Sequence, residues 1–213
     1  MPEKDWIYVN LFSVTVQCFH ALGILRCFSL YSRYEMGIEY YGFFTSLTDY
    51  LIHSKGHLGG IYRKILDRYS HPTEGSWNYY NPIFGDVTWF YEEGLYLESV
   101  YNCEETVKEL TPFLKSLGIP EDIFDDLMKF QRAYIRKPGN DTVTLGLSHD
   151  IPGFVNAAIK GNPSPLSKKA VTVRITPSLS FGSFEEYARE TVWYGRRKGL
   201  AVYKEKEIIT GDN

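Results

Sequence analysis

The hydrophobic periodicity of this chain changes once, after Gly139, and no other feature constrains the fold as much. Before that point apolar residues recur at helical spacing. After it, "TVTLGL" from Thr142 and "KAVTVRIT" from Lys169 alternate polar and apolar residues, as half-buried strands do. The pattern predicts an α+β protein that is mainly α-helical. In it, a helical bundle is followed by a small C-terminal sheet of about three strands covered by a helix.

The same change predicts two regions. Residues 1–138 form a helical region, and a loop near 70–86, "SHPTEGSWNYYNPIFG", interrupts it with prolines, glycines and polar turn formers. Within the region, breaks are predicted near Gly37 and at Gly56, and the later helices over Val87–Tyr101, Glu104–Leu117 and Pro120–Ile135. Residues 139–213 form a small α+β unit, whose third strand is predicted over Leu200–Lys204.

Charge and cysteine spacing exclude several classes of protein. The net charge of −3 argues against a general attraction to nucleic acid. Cys18, Cys27 and Cys103 lack the spacing typical of a metal site, so we expect reduced thiols and no metal site. "MPEKDW" mixes acidic and basic residues and lacks the basic start of a secretion signal, and polar residues interrupt the uncharged stretch Ile7–Leu25. We expect a cytoplasmic protein that does not enter a membrane.

Aromatic residues are concentrated in one segment and predict a first candidate site. Nine of the 25 residues from Trp77 to Tyr101 are aromatic, and rigid aromatic walls bind flat ligands well. A tightly packed core with tyrosine hydroxyls at its edge explains the same density. In this segment we predict substrate or partner contacts from Trp77, Tyr79, Tyr80, Trp89 and Glu93.

The stretch "YARETVWYGRRKGLAVY" predicts a second candidate site, with Trp193, Arg196 and Arg197 facing an anion or a partner. Residues 160–206 hold ten Lys or Arg and four Glu, so this part of the chain is locally basic. The alternative is structural, because basic residues are ordinary in the last turn of a helix, here predicted over Phe184–Lys198.

Several segments together resemble one known family. "PLSKKAVTVRI", "FEEYARETVWYGRRKG" and "YKEKEI" resemble the C-terminal end of cobalamin-binding-domain radical S-adenosylmethionine (SAM) proteins. "FGDVTWFYEEGLYLESV", "ELTPFLKSLGIPEDIFDDLMKFQRAYIRKPG" and "EYYGFFTSLTDYL" are similar to the region that follows the catalytic barrel in that family. The resemblance implies an accessory domain that helps to form or cover a substrate pocket, or docks a partner.

The family's cofactor motifs are missing from this chain. It has no C-x3-C-x2-C cluster motif and no D-x-H-x-x-G cobalamin segment. The resemblance therefore implies that the iron–sulfur cluster, SAM and cobalamin are held by a radical SAM catalytic domain or subunit, and no catalytic residue is assigned here.

A different class of function stays open from the sequence. His149 and Asp150 form an "HD" pair of the kind used by metal-dependent hydrolases, and the basic C-terminal region could complete such a site. The alternative is thus a self-contained metal-dependent hydrolase or transferase. His53 and His57 lie four residues apart, a spacing that can bind zinc, but we expect surface or loop histidines there.

Overall fold

The structure, a computed structural model, describes residues 1–73, 78–135, 141–176, 181–194 and 207–209. The protein is α+β and mainly helical within these ranges. The helices are α1 (Glu3–Val16), α2 (Arg26–Tyr34), α3 (Tyr40–His53), α4 (His57–Ser70), α5 (Tyr91–Tyr101), α6 (Cys103–Ser116), α7 (Glu121–Tyr134), α8 (Ile151–Ile159) and α9 (Phe184–Ala188). Two π-helical segments, Gln17–Ala21 and Arg189–Tyr194, continue α1 and α9.

The strands form one small antiparallel sheet. β1 (Val143–Leu147) and β2 (Val171–Ile175) pair along their whole length, and both were predicted from alternation. Val171, Val173 and Ile175 are buried while Thr172 and Arg174 are exposed, which confirms the predicted period of two. Three residues, β3 (Glu207–Ile209), pair with the other edge of β2. The strand predicted over residues 200–204 lies outside the described residues.

α7 connects the helical part to the sheet through one carboxylate. Asp126 is 2% exposed, and its Oδ2 accepts hydrogen bonds from the backbone N–H groups of Ser148 at 2.8 Å and His149 at 3.0 Å. These two residues directly follow β1, so Asp126 pairs the backbone at the point where the chain leaves the sheet, including the N–H of the buried His149. α7 also packs against β1 and α8. The apolar residues of both parts form one hydrophobic cluster.

The stretch that begins α9 packs on the helical part. Ser183 caps the helix by accepting from the Glu186 N–H at 3.1 Å. Phe184 then lies 5.1 Å from Tyr101 and 5.4 Å from Phe84, measured between ring centroids. The helix expected to cover the sheet therefore contacts α5 and the turn before it, because its aromatic residues find aromatic partners there.

α5 starts later than the predicted Val87. Trp89 is fully buried, and its backbone pairs with that of Tyr79 in an isolated β-bridge, with N···O distances of 2.7 Å and 2.8 Å. The helix can begin only after this bridge, at Tyr91.

Within the described residues, no single helix is both long and apolar enough to cross a membrane. The pair Glu3–Ala21 and Arg26–Tyr34 meets those limits only when its two helices are taken together across a 95° bend.

The start of α4 depends on a side chain from another helix. Glu109 of α6 accepts hydrogen bonds from the N–H groups of Leu58 at 2.8 Å and Gly59 at 2.9 Å, and from the Ser54 hydroxyl. A carboxylate at a helix N-terminus pairs unsatisfied donors and complements the helix dipole. A Cβ at Gly56 would collide with this carboxylate, which explains why glycine precedes the helix.

We expect Glu109→Ala to destabilise the protein by about 1–3 kcal/mol, because the buried donors at the start of α4 lose a charged acceptor. Urea denaturation at pH 7 measures the change. Glu105→Ala on the exposed face of the same helix is the matched control and should stay within about 0.5 kcal/mol of the unmodified chain. Equal effects of the two substitutions would show that Glu109 is not a cap.

Candidate functional site

A cavity of about 330 Å³ lies where the α1–α2 corner, α7, α8 and the C-terminal π-helical segment meet. Its volume falls in the range of small-molecule sites in proteins. The corner contributes Leu22, Ile24 and Arg26, α8 contributes Val155, and the π-helical segment contributes Thr191 and Val192. The wall is therefore mainly apolar, with a few polar groups at defined positions.

The corner bends because α1 does not continue directly into α2. The Leu22 N–H donates to the Gln17 carbonyl at 2.8 Å, which closes the π-helical turn. Gly23 then adopts a φ of 102°, a left-handed conformation that side chains disfavour. The chain turns sharply at this glycine and starts α2 at Arg26.

Gln131 of α7 holds this corner. Its Nε2 donates to the Gly23 carbonyl at 2.8 Å, and its Oε1 accepts from the Cys27 N–H at 3.0 Å. Gln131 is 1% exposed, so both ends of its amide are satisfied inside the protein. The amide replaces the backbone partners that the bend leaves without hydrogen bonds, and it forms part of the cavity wall.

Both π-helical segments contact the same cavity. Ala21 ends the first, and Thr191 and Val192 belong to the second. π-Helical turns are rare, and in known proteins they occur frequently at functional sites. Two such segments, far apart in sequence and meeting at one cavity, single out this region as the candidate site.

A second cavity of about 360 Å³ adjoins the first and shares Ala21, Arg26 and Ile159 with it. Its own wall includes His20, Leu30 and Tyr40. Ile159, at the end of α8, is 56% exposed, an unusual position for an isoleucine and one that places apolar surface at the opening. The two cavities meet at these shared residues, and together they are called the groove around Arg26.

Arg26 is the cation of this groove. Its Nε donates to the His20 carbonyl at 2.9 Å, and its Nη2 donates to the Ala21 carbonyl. These bonds hold one edge of the guanidinium against the end of the first π-helical segment. Among the described residues, no carboxylate forms an ion pair with Arg26.

His20 is neutral in this site and its tautomer follows from its partners. The Ser29 hydroxyl donates to the Arg26 carbonyl at 3.0 Å, so His20 Nδ1, 2.9 Å from the same hydroxyl oxygen, carries the hydrogen. The ring lies 5.0 Å from that of Tyr40. Burial, followed by the nearby Arg26 charge, lowers the pKa of His20 below its ordinary value.

Tyrosine hydroxyls lie on another part of the wall. The Tyr96 hydroxyl is 3.0 Å from that of Tyr187, which joins α5 to α9. Burial raises the pKa of Tyr96, so its phenol is neutral and serves as a hydrogen-bonding group.

The residues of the first predicted site are divided between the core and the surface. Trp89 is fully buried, so it cannot form an accessible aromatic wall, and Glu93 is 4% exposed and accepts from the Phe90 N–H at 3.2 Å at the start of α5. Tyr80 is exposed, with its hydroxyl 3.4 Å from an Asp86 carboxylate oxygen. Trp77 lies outside the described residues.

Tyr79 belongs to a buried polar cluster that sequence reasoning missed. Glu98 of α5 is 4% exposed and accepts from the Tyr79 hydroxyl at 2.5 Å, Asn81 at 2.7 Å, Asn102 at 2.9 Å and His57 at 3.0 Å. Burial and the Glu98 carboxylate raise the pKa of Tyr79. The cluster connects α5 to the start of α4 and to the preceding turn, and its position gives it a structural role.

The predicted His149 and Asp150 pair is not a pair in the structure. His149 is 4% exposed, and its Nδ1 donates to Asp126 at 3.0 Å. Asp150 instead caps α8 by accepting from the Gly153 N–H at 2.9 Å. The two neighbouring residues thus have separate structural roles, because His149 binds Asp126 of α7 and Asp150 caps the start of α8.

The second site predicted from sequence lies largely outside the described residues. Arg196 and Arg197 lie outside the described residues, as does the Trp193 side chain. The described segment directly before them, which includes Thr191 and Val192, lines the first cavity. Arg26, His20 and Gln131 were not predicted from the sequence, because their positions in the site depend on contacts between separate segments.

Comparison of the chain with protein-family models and with curated proteins found no match. Within the part of the chain that the structure describes, no three His, Cys, Asp or Glu side chains are grouped so that they could hold a metal ion. The candidate site is therefore defined by its geometry.

We expect the protein to lose part of its stability as the pH falls below about 6.5, because the unfolded chain then takes up a proton that neutral His20 resists in the folded state. In His20→Asn this contribution disappears, so the drop in unfolding free energy between pH 7.5 and pH 5.5 should be smaller. Urea denaturation at the two pH values measures it.

His53→Asn, on the exposed end of α3, is the matched control and should keep the pH dependence of the unmodified chain. The same pH dependence in His20→Asn and the unmodified chain would contradict the assignment of His20 as a group held neutral by the fold.

Proposed function

We propose that the chain is a non-catalytic accessory region that acts by binding, and that its groove around Arg26 forms part of a substrate pocket. Two supports come from different sources. One is the meeting of two π-helical segments at a single groove, which is the observation that carries the proposal. The other is the resemblance of the chain to the region after the catalytic barrel of cobalamin-binding-domain radical SAM proteins.

The groups of the groove suit binding. His20 and Tyr96 have shifted pKa values that keep both side chains neutral, and Gln131 uses both ends of its amide to hold the corner. His20 and Tyr96 can hydrogen-bond a ligand without carrying a charge, while Gln131 fixes the shape of the wall. Arg26 adds a permanent positive charge.

The proposal assigns the cofactors of such an enzyme to another domain or subunit. Cys18 and Cys27 are buried in separate segments of the α1–α2 corner, Cys103 starts α6, and the three do not belong to any group of potential metal ligands among the described residues. In this proposal an iron–sulfur cluster, SAM and cobalamin belong to a catalytic domain, in the same polypeptide or in a separate subunit. No chemical step is assigned to residues of this chain.

The proposal is tested by direct association. The chain would be mixed with a reconstituted protein that carries a C-x3-C-x2-C motif and is encoded next to it or in frame with it. We expect a complex of defined stoichiometry by analytical ultracentrifugation. A cluster-motif protein from an unrelated operon is the control and should sediment separately from the chain.

Two results would contradict the proposal. One is independent sedimentation of the chain and its neighbouring cluster protein. The other is turnover of a substrate by the isolated chain, since a binding region has no activity of its own.

A further inference from the structure

We infer that the groove around Arg26 binds one small molecule with an apolar body and a terminal carboxylate, which pairs with the free edge of the Arg26 guanidinium. This inference rests on the proposed function in one respect, that the chain acts by binding. It adds the chemical class of the ligand and the residue that recognises it.

The guanidinium geometry identifies the edge available to a ligand. Nε and Nη2 donate to the carbonyls of His20 and Ala21, so those bonds occupy the edge that contains Nε. The opposite edge, formed by Nη1 and the second N–H of Nη2, has no hydrogen-bond partner among the described residues. Two parallel N–H groups on this edge match the two oxygens of a carboxylate.

The surroundings favour a negative group at this position. The described residues that line the two cavities include no Asp or Glu, and Arg26 stands in the first turn of α2, where the helix dipole is positive. A carboxylate is favoured over phosphate because the Cys27 N–H of the same turn already donates to Gln131. With that donor occupied, the single guanidinium fork suits a singly charged group.

The rest of the groove suits an apolar body. On one side of Arg26 lie Leu22, Ile24, Val155 and Val192, and on the other lie Leu30 and Tyr40. Cavities of about 330 Å³ and 360 Å³ give room for a ring and a short alkyl chain. Burial of that surface supplies affinity, while the single charge sets the orientation.

The test compares a matched pair of probes, 4-phenylbutyrate and its uncharged amide, 4-phenylbutanamide. We expect isothermal titration calorimetry to show about tenfold or greater preference for the carboxylate at low salt, the ratio typical of charge-assisted hydrogen bonds. Phenethyl phosphate is a third probe and should bind more weakly than the carboxylate. Equal binding of acid and amide, stronger binding of the phosphate, or no binding of any probe would overturn the inference.

Substitutions locate the site. Arg26→Gln should remove the preference for the acid and leave the affinity for the amide within about twofold. Arg26→Lys should keep only part of the preference for the acid, because an ammonium group lacks the two parallel N–H donors of a guanidinium. Arg33→Gln is the matched control, since Arg33 lies on the same helix and pairs with Glu39 at its far end. An unchanged preference in Arg26→Gln would place the carboxylate elsewhere.

A second variant keeps the test decisive if loss of Arg26 prevents folding. Val192→Phe fills the first cavity with a ring and should weaken binding of acid and amide alike. Unchanged binding of both probes by this variant would overturn the inference. If none of the probes binds as expected but the chain still associates with the cluster protein, only the ligand class is rejected. If the chain does not associate with the cluster protein, the proposed function is rejected.

Discussion

The hydrogen bonding of Gln131 to the α1–α2 corner is the interaction on which the rest of the structure depends. At the corner, the Gln131 amide donates to the Gly23 carbonyl at 2.8 Å and accepts from the Cys27 N–H at 3.0 Å. A buried amide left unpaired costs more free energy than a typical hydrogen bond contributes. The bend and the position of α7 are therefore coupled, because the buried Gln131 amide and the backbone groups of the corner form these hydrogen bonds only with each other in place.

α7 also positions the C-terminal part of the chain. Asp126, about one and a half turns before Gln131, pairs the backbone that follows β1, so the same helix positions the corner and the sheet. α8 begins immediately afterwards at Ile151, capped by Asp150, and its far end carries Ile159 to the groove. The groove is thus formed by elements that α7 brings together, and this explains why its wall combines residues from both predicted regions.

The helical elements could be predicted because each depends mainly on local pattern. α6 and α7 begin and end within a residue or two of their predicted bounds, and Gly37 and Gly56 lie at helix boundaries where the sequence placed breaks. The start of α5 was predicted too early, since the Trp89 bridge to Tyr79 is a contact between separate segments. The candidate site was missed for the same kind of reason. Nothing in the local sequence distinguishes Arg26 from any other arginine at a helix start.

Hydrophobic periodicity, glycine positions and capping residues determined, by themselves, that this chain is mainly helical with a small antiparallel sheet, since these features act over a few neighbouring residues. Only the tertiary structure decided that His149 meets Asp126 rather than Asp150, that Trp89 is buried, and that two π-helical segments face one groove. Those outcomes depend on partners far away in sequence. Burial and hydrogen-bond satisfaction select such partners only when the whole chain has packed.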